Sequence, residues 1–397
     1  MAVEVPAAPP SARVAFYNDP KIRSIAYQVA LCAIVALLVY GAVNNAIENL
    51  RRAHIASGFG FWDHTAGFDI SQTLIPFSSD ASTYGRAFWV GLLNTLLVAG
   101  LGIIFATILG FTVGIARLST NWLLSRVATA YVELIRNIPL LLQLLFWYNA
   151  VLKALPEMRD SLALWGGGFL NNRGLFLPNP IPKPGFGAVE LALLIGVIGA
   201  IGYRFWARRR QMATGQQAPV VTVALTLVIG LPLLVYALSG FPLSFEYPEK
   251  ARFNIRGGME VGPEFAALLV GLVIYTAAFI AEVVRAGILA VSRGQTEAAF
   301  SLGLRPRPTL RLIVVPQAMR VISPPLTSQY LNLVKNSSLA VAIGYPDLVQ
   351  VFTGTVLNQT GQAVEVVAIT MAVYLTISLV TSLAMNIYNS RMSLVER

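Results

Sequence analysis

Long apolar runs separated by short polar or basic segments dominate the chain. A helix that crosses a bilayer needs about 20 mostly apolar residues. Seven runs reach or approach this length, at residues 24–46, 88–116, 129–152, 187–203, 219–240, 262–291 and 365–388. A weaker eighth run, at about 312–346, is interrupted by Pro324, Pro325, Lys335 and Asn336. The pattern predicts an all-α integral membrane protein with about eight transmembrane helices.

The basic residues are shared unevenly between the two sides that eight spans define. An even number of spans places both termini on one side, and most arginines and lysines fall on that side, as in segments 204–218 and 285–320. The opposite segments 47–86, 153–186 and 241–261 hold fewer, mixed with acidic residues. Because cytoplasmic loops are enriched in Lys and Arg, we predict a multi-pass inner-membrane protein with both termini cytoplasmic.

Composition excludes several classes of protein. Hydrophobic residues make up 56% of the chain and charged residues 12%, against about 25% charged in soluble domains. The single cysteine, Cys32, excludes a disulfide framework. The net charge of +10 fits the bias toward basic cytoplasmic segments, so no nucleic-acid partner is expected.

No catalytic or cofactor motif stands out. The sequence has no phosphate-binding P-loop, no H-E-x-x-H and no G-x-S-x-G. His54 and His64 lie ten residues apart without an acidic cluster at ligand spacing, which argues against a metal site. We therefore expect a chain that is not an enzyme and that holds neither cofactor nor metal.

The basic segment after the sixth run has the local pattern of a helix, a turn and a second helix. Residues 295–302 are good helix formers, and Gly303 stands where a glycine commonly ends a helix in a left-handed conformation. Pro306 and Pro308 suit a turn and the first turn of the next helix. Small Ala298 and Ala299 on the helix surface would allow another protein to approach closely. From spacing alone, an ordinary cytoplasmic loop remains the alternative.

The same segment resembles the EAA loop of ABC importer permeases. Glu297-Ala298-Ala299, Gly303 and Ile313-Val314-Val315-Pro316 follow that family's pattern, with Val315 in place of Leu. In the family this loop is the coupling helix, which fits a groove on a separate subunit that binds Mg²⁺ and hydrolyses ATP. The resemblance implies that the coupling residues are Glu297, Ala298, Ala299, Gly303, Leu304 and Pro316.

Further segments resemble the polar amino-acid (histidine/glutamate/arginine) branch of these permeases. They are Asn94-Thr95-Leu96, the run 136–144 with Asn137 in place of Gly, the run 281–287 and the run 333–339. The long form is similar to permeases of general L-amino-acid transport systems. That resemblance implies a heterodimer with a second permease, two copies of an ABC ATPase, a periplasmic amino-acid-binding protein and an amino-acid substrate.

The resemblance also implies a domain organisation around a five-helix permease core. Residues 1–20 are predicted to be a disordered cytoplasmic N-terminus, and 21–87 an extra first span with a periplasmic loop. The permease domain is expected at 88–390, interrupted at 153–261 by an insertion with two extra helices. Residues 391–397 are expected to be a cytoplasmic tail.

Polar residues within the spans are candidates for a pathway or a gate, because a charge at mid-bilayer costs roughly 2.5–3.5 kcal/mol. Glu133 and Arg136, and likewise Glu282 and Arg285, are three residues apart and can form local ion pairs. Such pairs either pin helices near the cytoplasmic face or belong to an inner gate. A polar stripe at helical spacing either lines the pathway or has a structural role; it consists of Ser328, Asn332, Lys335 and Asn336.

The main rival interpretation is an ion-coupled secondary transporter of amino acids. Such a protein is expected to show inverted repeats and acidic relays near the midplane, and neither is evident. An ABC exporter is disfavoured by the EAA-like loop. A membrane enzyme would need a catalytic set, which the sequence does not offer.

Overall fold

The computed structural model describes residues 20–52, 57–251 and 254–392, and these residues are mainly helical. The predictions for residues 1–19, His54 and most of the C-terminal tail lie outside this part. The longest helices are α1 (Pro20–Arg52), α2 (Tyr84–Ala116), α5 (Phe186–Thr214), α8 (Pro263–Leu289) and α13 (Ala363–Met392). Each contains an apolar stretch long enough to cross a bilayer, as does the unit 220–238. Six of the predicted apolar runs thus correspond to single candidate spans.

The run 129–152 is not one straight span. It comprises α3 (Trp122–Arg136) and α4 (Leu140–Leu145), which continues as a π-helix over Phe146–Leu152. The two parts are bent by 105°. Pro139 lacks a backbone N–H and disfavours helical geometry in the residue before it, so α3 ends at Arg136 and the chain turns. Counted with this bent pair, up to seven spans pass on length and composition within the described residues.

The weaker eighth run is also helical, although it is too polar to be counted among those spans. It is covered by a π-helix over Leu310–Val314, α11 (Val315–Asn336) and a 3-10 helix over Ser337–Ile343, and the one-turn helix α10 (Pro306–Thr309) lies just before it. Pro324 and Pro325 lie inside α11. The short α9 (Arg293–Ser301) precedes it, and a π-helix over Val349–Val356 with α12 (Leu357–Thr360) leads to α13.

The core forms where α2, α8 and α11 pack together. Ala106, Ile280, Ile322 and Leu333 belong to one buried apolar cluster. Gly110 of α2 allows close approach, because a Cβ there would lie 2.6 Å from the Cβ of Ile280. Gly114 likewise faces α8, with Ala281 O at 2.8 Å from an ideal Cβ. Gly110 and Gly114 are four residues apart, so they lie on one face of α2 and let α8 approach closely along it.

The segment 153–261 contains short strands, which were not predicted from the sequence. A four-stranded antiparallel sheet has the order β1 (Leu162–Leu164), β2 (Gly168–Asn171), β3 (Gly174–Leu177) and β8 (Met259–Val261). Two smaller pairs join β4 (Asn179–Pro182) to β5 (Leu243–Glu246) and β6 (Glu249–Lys250) to β7 (Ile255–Arg256). The helical hairpin formed by α5, α6 (Val220–Leu225) and α7 (Leu231–Leu238) lies between β4 and β5 in the sequence. The pairing of β3 with β8 closes the sheet next to the start of α8.

Candidate functional sites

The EAA-like segment folds as a short helix, a left-handed glycine and a second helix, as its local pattern predicts. Helix α9 ends at Ser301, and Gly303 has φ of +76°. The N–H of Leu304 donates to the carbonyl of Ala299 at 3.1 Å, which closes the helix end. Pro306 begins α10. The glycine is needed because residues with a Cβ pay a steric cost in this conformation.

Helix α9 presents an apolar surface that no described residue covers. Leu302 is 81% exposed and Phe300 48% exposed. Glu297 and Ala298 are exposed beside them. Exposed large apolar side chains outside the membrane spans are candidates for contact with another protein. Since these residues belong to the EAA-like segment, this surface is a candidate contact for a partner.

Ala299 does not belong to this surface, which corrects the sequence analysis. Its side chain is 1% exposed and faces its own chain. The amide of Gln317 in α11 donates to Gln295 Oε1 at 3.2 Å, which further ties α9 to α11. Leu304 and Pro316 are partly buried. The small side chain of Ala299 therefore lets α9 pack closely on the rest of its chain.

A cluster of three arginines and two glutamates joins the ends of α2, α3 and α8. Arg117, which directly follows α2, has a side chain that is only 7% exposed and donates to Glu282. Arg285 donates to the same carboxylate at 2.7 Å, and an Arg136 nitrogen lies 3.7 Å from it. Glu133 lies 3.7 Å from Arg117. Glu282 is thus the common partner of three arginines.

Of the two predicted local pairs, only Glu282 with Arg285 is present. In the described part of the chain Glu133 and Arg136 do not pair with each other. Each contacts a residue of another segment instead: Glu133 contacts Arg117, and Arg136 contacts Glu282. The sequence analysis did not single out Arg117.

The predicted polar stripe lies on the open face of α11. Ser328, Asn332 and Lys335 are exposed, and Asn336 is partly exposed. The opposite face holds the buried Leu326, Leu333 and Val334. Within the described residues, no side chain forms a hydrogen bond or an ion pair with the four stripe side chains. The stripe is therefore left free for water, substrate or another chain.

A buried polar network joins α2 to the link at residues 344–348. Asn94 is fully buried, and its amide donates to the carbonyls of Gln72 and Pro346, both at 2.9 Å. Thr95 accepts from the N–H of Leu348 at 3.0 Å. In the sequence analysis, Asn94 and Thr95 appear only within the run Asn94-Thr95-Leu96, and no buried network was predicted for them.

Asp347 anchors the same link and was missed by the sequence analysis. It is fully buried, and its carboxylate accepts from the N–H of Gln350 at 2.8 Å and from Tyr374 of α13 at 3.1 Å. Its only sequence signal is an acidic residue within an apolar stretch. Together with Asn94 and Thr95, it fixes the link between α2 and α13.

Comparison with known proteins places these features in a family. The model of the family described as binding-protein-dependent transport system inner membrane component matches residues 192–394. The general L-amino acid transport system permease protein AapQ of Rhizobium johnstonii is 55% identical over 387 residues, covering 98% of this chain and 96% of that protein. The putative amino-acid ABC transporter permease protein YhdX of Escherichia coli is 52% identical, covering 96% and 97%.

A third relative has a more specific name. The glutamate/glutamine/aspartate/asparagine transport system permease protein BztB of Rhodobacter capsulatus is 42% identical, covering 96% of each chain. The resemblance to amino-acid ABC permeases is confirmed. The spans and the family description likewise confirm a multi-pass protein of the inner membrane. With relatives this similar over nearly its whole length, the chain belongs to the family of binding-protein-dependent transport system inner membrane components.

Proposed function

We propose that the chain is the membrane-spanning permease subunit of an ATP-binding-cassette importer that carries L-amino acids across the bacterial inner membrane. The observation that carries the proposal is the EAA-like segment. Its helix ends at the left-handed Gly303, and its apolar side chains Phe300 and Leu302 are exposed. The names of three relatives that match nearly the whole chain supply the substrate class.

The proposed importer contains several partner proteins, and the EAA-like segment would contact one of them. Glu297, Ala298, Gly303 and Leu304 would contact a groove on an ABC ATPase, and Ala299 and Pro316 would hold the helix on its own chain. ATP and Mg²⁺ would bind to two copies of that ATPase, and this chain would bind neither. A second, related permease and a periplasmic amino-acid-binding protein would complete the importer. Both termini would then lie in the cytoplasm.

The charged cluster would act as a brace at the inner side of the spans. Glu282 holds arginines from the end of α2, from α3 and from α8. Helix α9 begins four residues after α8 ends. A movement of α9 would therefore reach α2 and α3 through Glu282, whereas the stripe from Ser328 to Asn336 would line the pathway.

Reconstitution tests this function. The complex purified through this chain is placed in proteoliposomes, and uptake of labelled L-glutamine is measured with the binding protein present. We expect uptake only with ATP and Mg²⁺ at the side of the ATPase. Uptake that follows a proton or sodium gradient and needs no ATP would instead identify a secondary transporter.

A further inference from the structure

A cavity of about 540 Å³ lies at the end of the bundle where the segment 153–261 meets the transmembrane helices. Its wall combines parts of the chain that are far apart in sequence. Residues 71–73 before α2, the end of the π-helix Phe146–Leu152, the sheet and the start of α8 all contribute. The link that carries Tyr345 and Pro346 forms another part of the wall. The volume falls within the range of about 300–1,000 Å³ that is typical of small-molecule sites.

Two basic and two acidic side chains line this cavity: Lys153, Arg173, Glu260 and Glu264. Within the described part of the chain, none of them forms an ion pair with another. Glu264 accepts from Tyr148 at 2.8 Å, and Lys153 donates to Asn149 at 2.9 Å. Opposite charges that share a cavity without neutralising each other are available to a ligand that carries both signs.

The strands of the segment 153–261 and the turns beside them supply one residue of each sign, Arg173 and Glu260. Arg173 precedes β3, and Glu260 lies in β8 opposite Phe176 of β3. Because β3 pairs with β8, the sheet carries the two residues to the same cavity. A purely anionic ligand would meet two carboxylates and a purely cationic one would meet two cations. A zwitterion can satisfy both.

We infer that this cavity is a subsite for a zwitterionic α-amino acid, which it accepts before the substrate enters the pathway between the helices. The inference rests on the proposed function and assigns a role to the segment 153–261. The α-carboxylate would be held by Arg173 and Lys153, and the α-ammonium group by Glu260 and Glu264. Exposed charges bind weakly because water screens them, which suits a site that must release its ligand onward.

The wall also connects the subsite with the buried network. Pro346 lines the cavity, and its carbonyl accepts from Asn94, which also holds the carbonyl of Gln72. Gln72 lines the same cavity. One side chain of α2 thus holds two sections of the cavity wall together.

The first test measures binding of L-glutamine to the purified complex in nanodiscs, in the absence of the binding protein. Arg173→Gln and Glu260→Gln remove one charge each from the cavity. Lys183→Gln and Glu249→Gln remove the same kinds of charge from the same segment outside it. We expect each cavity variant to bind about fivefold more weakly and both controls to bind like the wild type.

Analogues of L-glutamine without the α-amino group or without the α-carboxylate separate the two halves of the subsite. Loss of the amino group should abolish the effect of Glu260→Gln, and loss of the carboxylate should abolish that of Arg173→Gln. A different outcome would overturn the subsite: the cavity variants bind L-glutamine like the controls, and only the half-saturating concentration of the binding protein changes. That outcome would show that the cavity is a protein-docking surface.

A second test does not depend on charge removal. A cysteine introduced as Ser71→Cys lies in the cavity wall, whereas Ser78→Cys lies outside it. L-glutamine should slow the alkylation of Ser71→Cys and leave that of Ser78→Cys unchanged, read by mass spectrometry of this chain. Equal rates with and without L-glutamine at both positions would overturn the subsite. ATP-driven uptake by the wild type is measured in parallel, so that failure of the transport function is seen separately.

Discussion

Glu282 is the residue on which the charged cluster depends. Its carboxylate is shared by Arg117, Arg136 and Arg285, so its removal leaves three arginines without their common partner. Glu282→Gln should destabilise the chain by about 1–3 kcal/mol, because a partly buried hydrogen bond to a charged group contributes that order. A lowered apparent Tm of the purified complex in detergent measures this effect.

Glu133→Gln is the matched control for Glu282. Glu133 is 61% exposed and, among the described residues, has one ion-pair contact, at 3.7 Å. Exposed pairs contribute about 0–1 kcal/mol, so the apparent Tm should change little. Equal losses for the two variants would show that the cluster is not centred on Glu282.

Lys335 carries the positive charge of the polar stripe. If it lines the pathway, Lys335→Ala should lower kcat/KM for ATP-driven uptake about tenfold, because a charge-assisted hydrogen bond to substrate contributes roughly 1.5–3 kcal/mol. Lys335→Arg keeps the charge and should retain most of the activity. Binding of the ATPase should be unchanged in both. Wild-type kinetics for Lys335→Ala with every amino acid carried would assign the lysine a structural role.

The sequence predicted single residues well where their role is local. The left-handed Gly303 and the pair of Glu282 with Arg285 both follow from spacing along one helix or at its end. Arg117 and Asp347 were missed because their roles depend on contacts across space. Arg117 reaches a residue 165 positions away, and no local pattern encodes that distance.

Helix α9, the proposed coupling helix, provides the sharpest test at the level of one element. Gly303 has φ of +76°, and nothing lies within 4 Å of a Cβ added there. Gly303→Val would therefore cause no clash but would pay about 1–2 kcal/mol for the left-handed backbone, and more for its stiff χ1. The helix end should fray, and its fit to the ATPase should weaken.

The expected result is that transport and substrate-stimulated ATP hydrolysis fall together, at least about fivefold, while the chain reaches the membrane in normal amounts. Gly215→Val is the matched control, because Gly215 ends α5 with φ of +73° and has equally open surroundings. It should retain uptake. Wild-type uptake by Gly303→Val would make the segment 294–318 an ordinary loop.

Among the elements, apolar length was the reliable signal. The seven strong runs all became helices, because about 20 apolar residues have few alternatives in a bilayer. The bend between α3 and α4 was not predicted, because the length of an apolar run does not show whether the helix is straight. Pro139 was the sequence signal for this bend. The strands β3 and β8 were missed because they are short and pair across more than 80 residues.

The distribution of charges predicts the orientation of the whole molecule in the membrane, and this orientation can be measured directly. Arg209 lies near the end of α5, and Asn172 lies in the turn between β2 and β3. In a Cys32→Ser background, Asn172→Cys should react with a membrane-impermeant maleimide added outside intact spheroplasts, and Arg209→Cys should react only after lysis. Labelling of Arg209→Cys but not of Asn172→Cys from outside would invert the topology.

The last prediction concerns assembly. The stripe on α11 carries Lys335 on an open face, and a charge facing lipid at mid-bilayer would cost roughly 2.5–3.5 kcal/mol. A second chain that covers this face and encloses a watery path removes that cost. We expect the second chain to be a related, shorter permease. The complex should then contain one copy of each permease and two copies of the ATPase. Two differently tagged copies of the present chain should then fail to copurify when expressed with the native partners, while native mass spectrometry reports the mass of the heterodimer. A transport-competent complex with two copies of this chain and no second permease would contradict the prediction and would place two copies of Lys335 around one path.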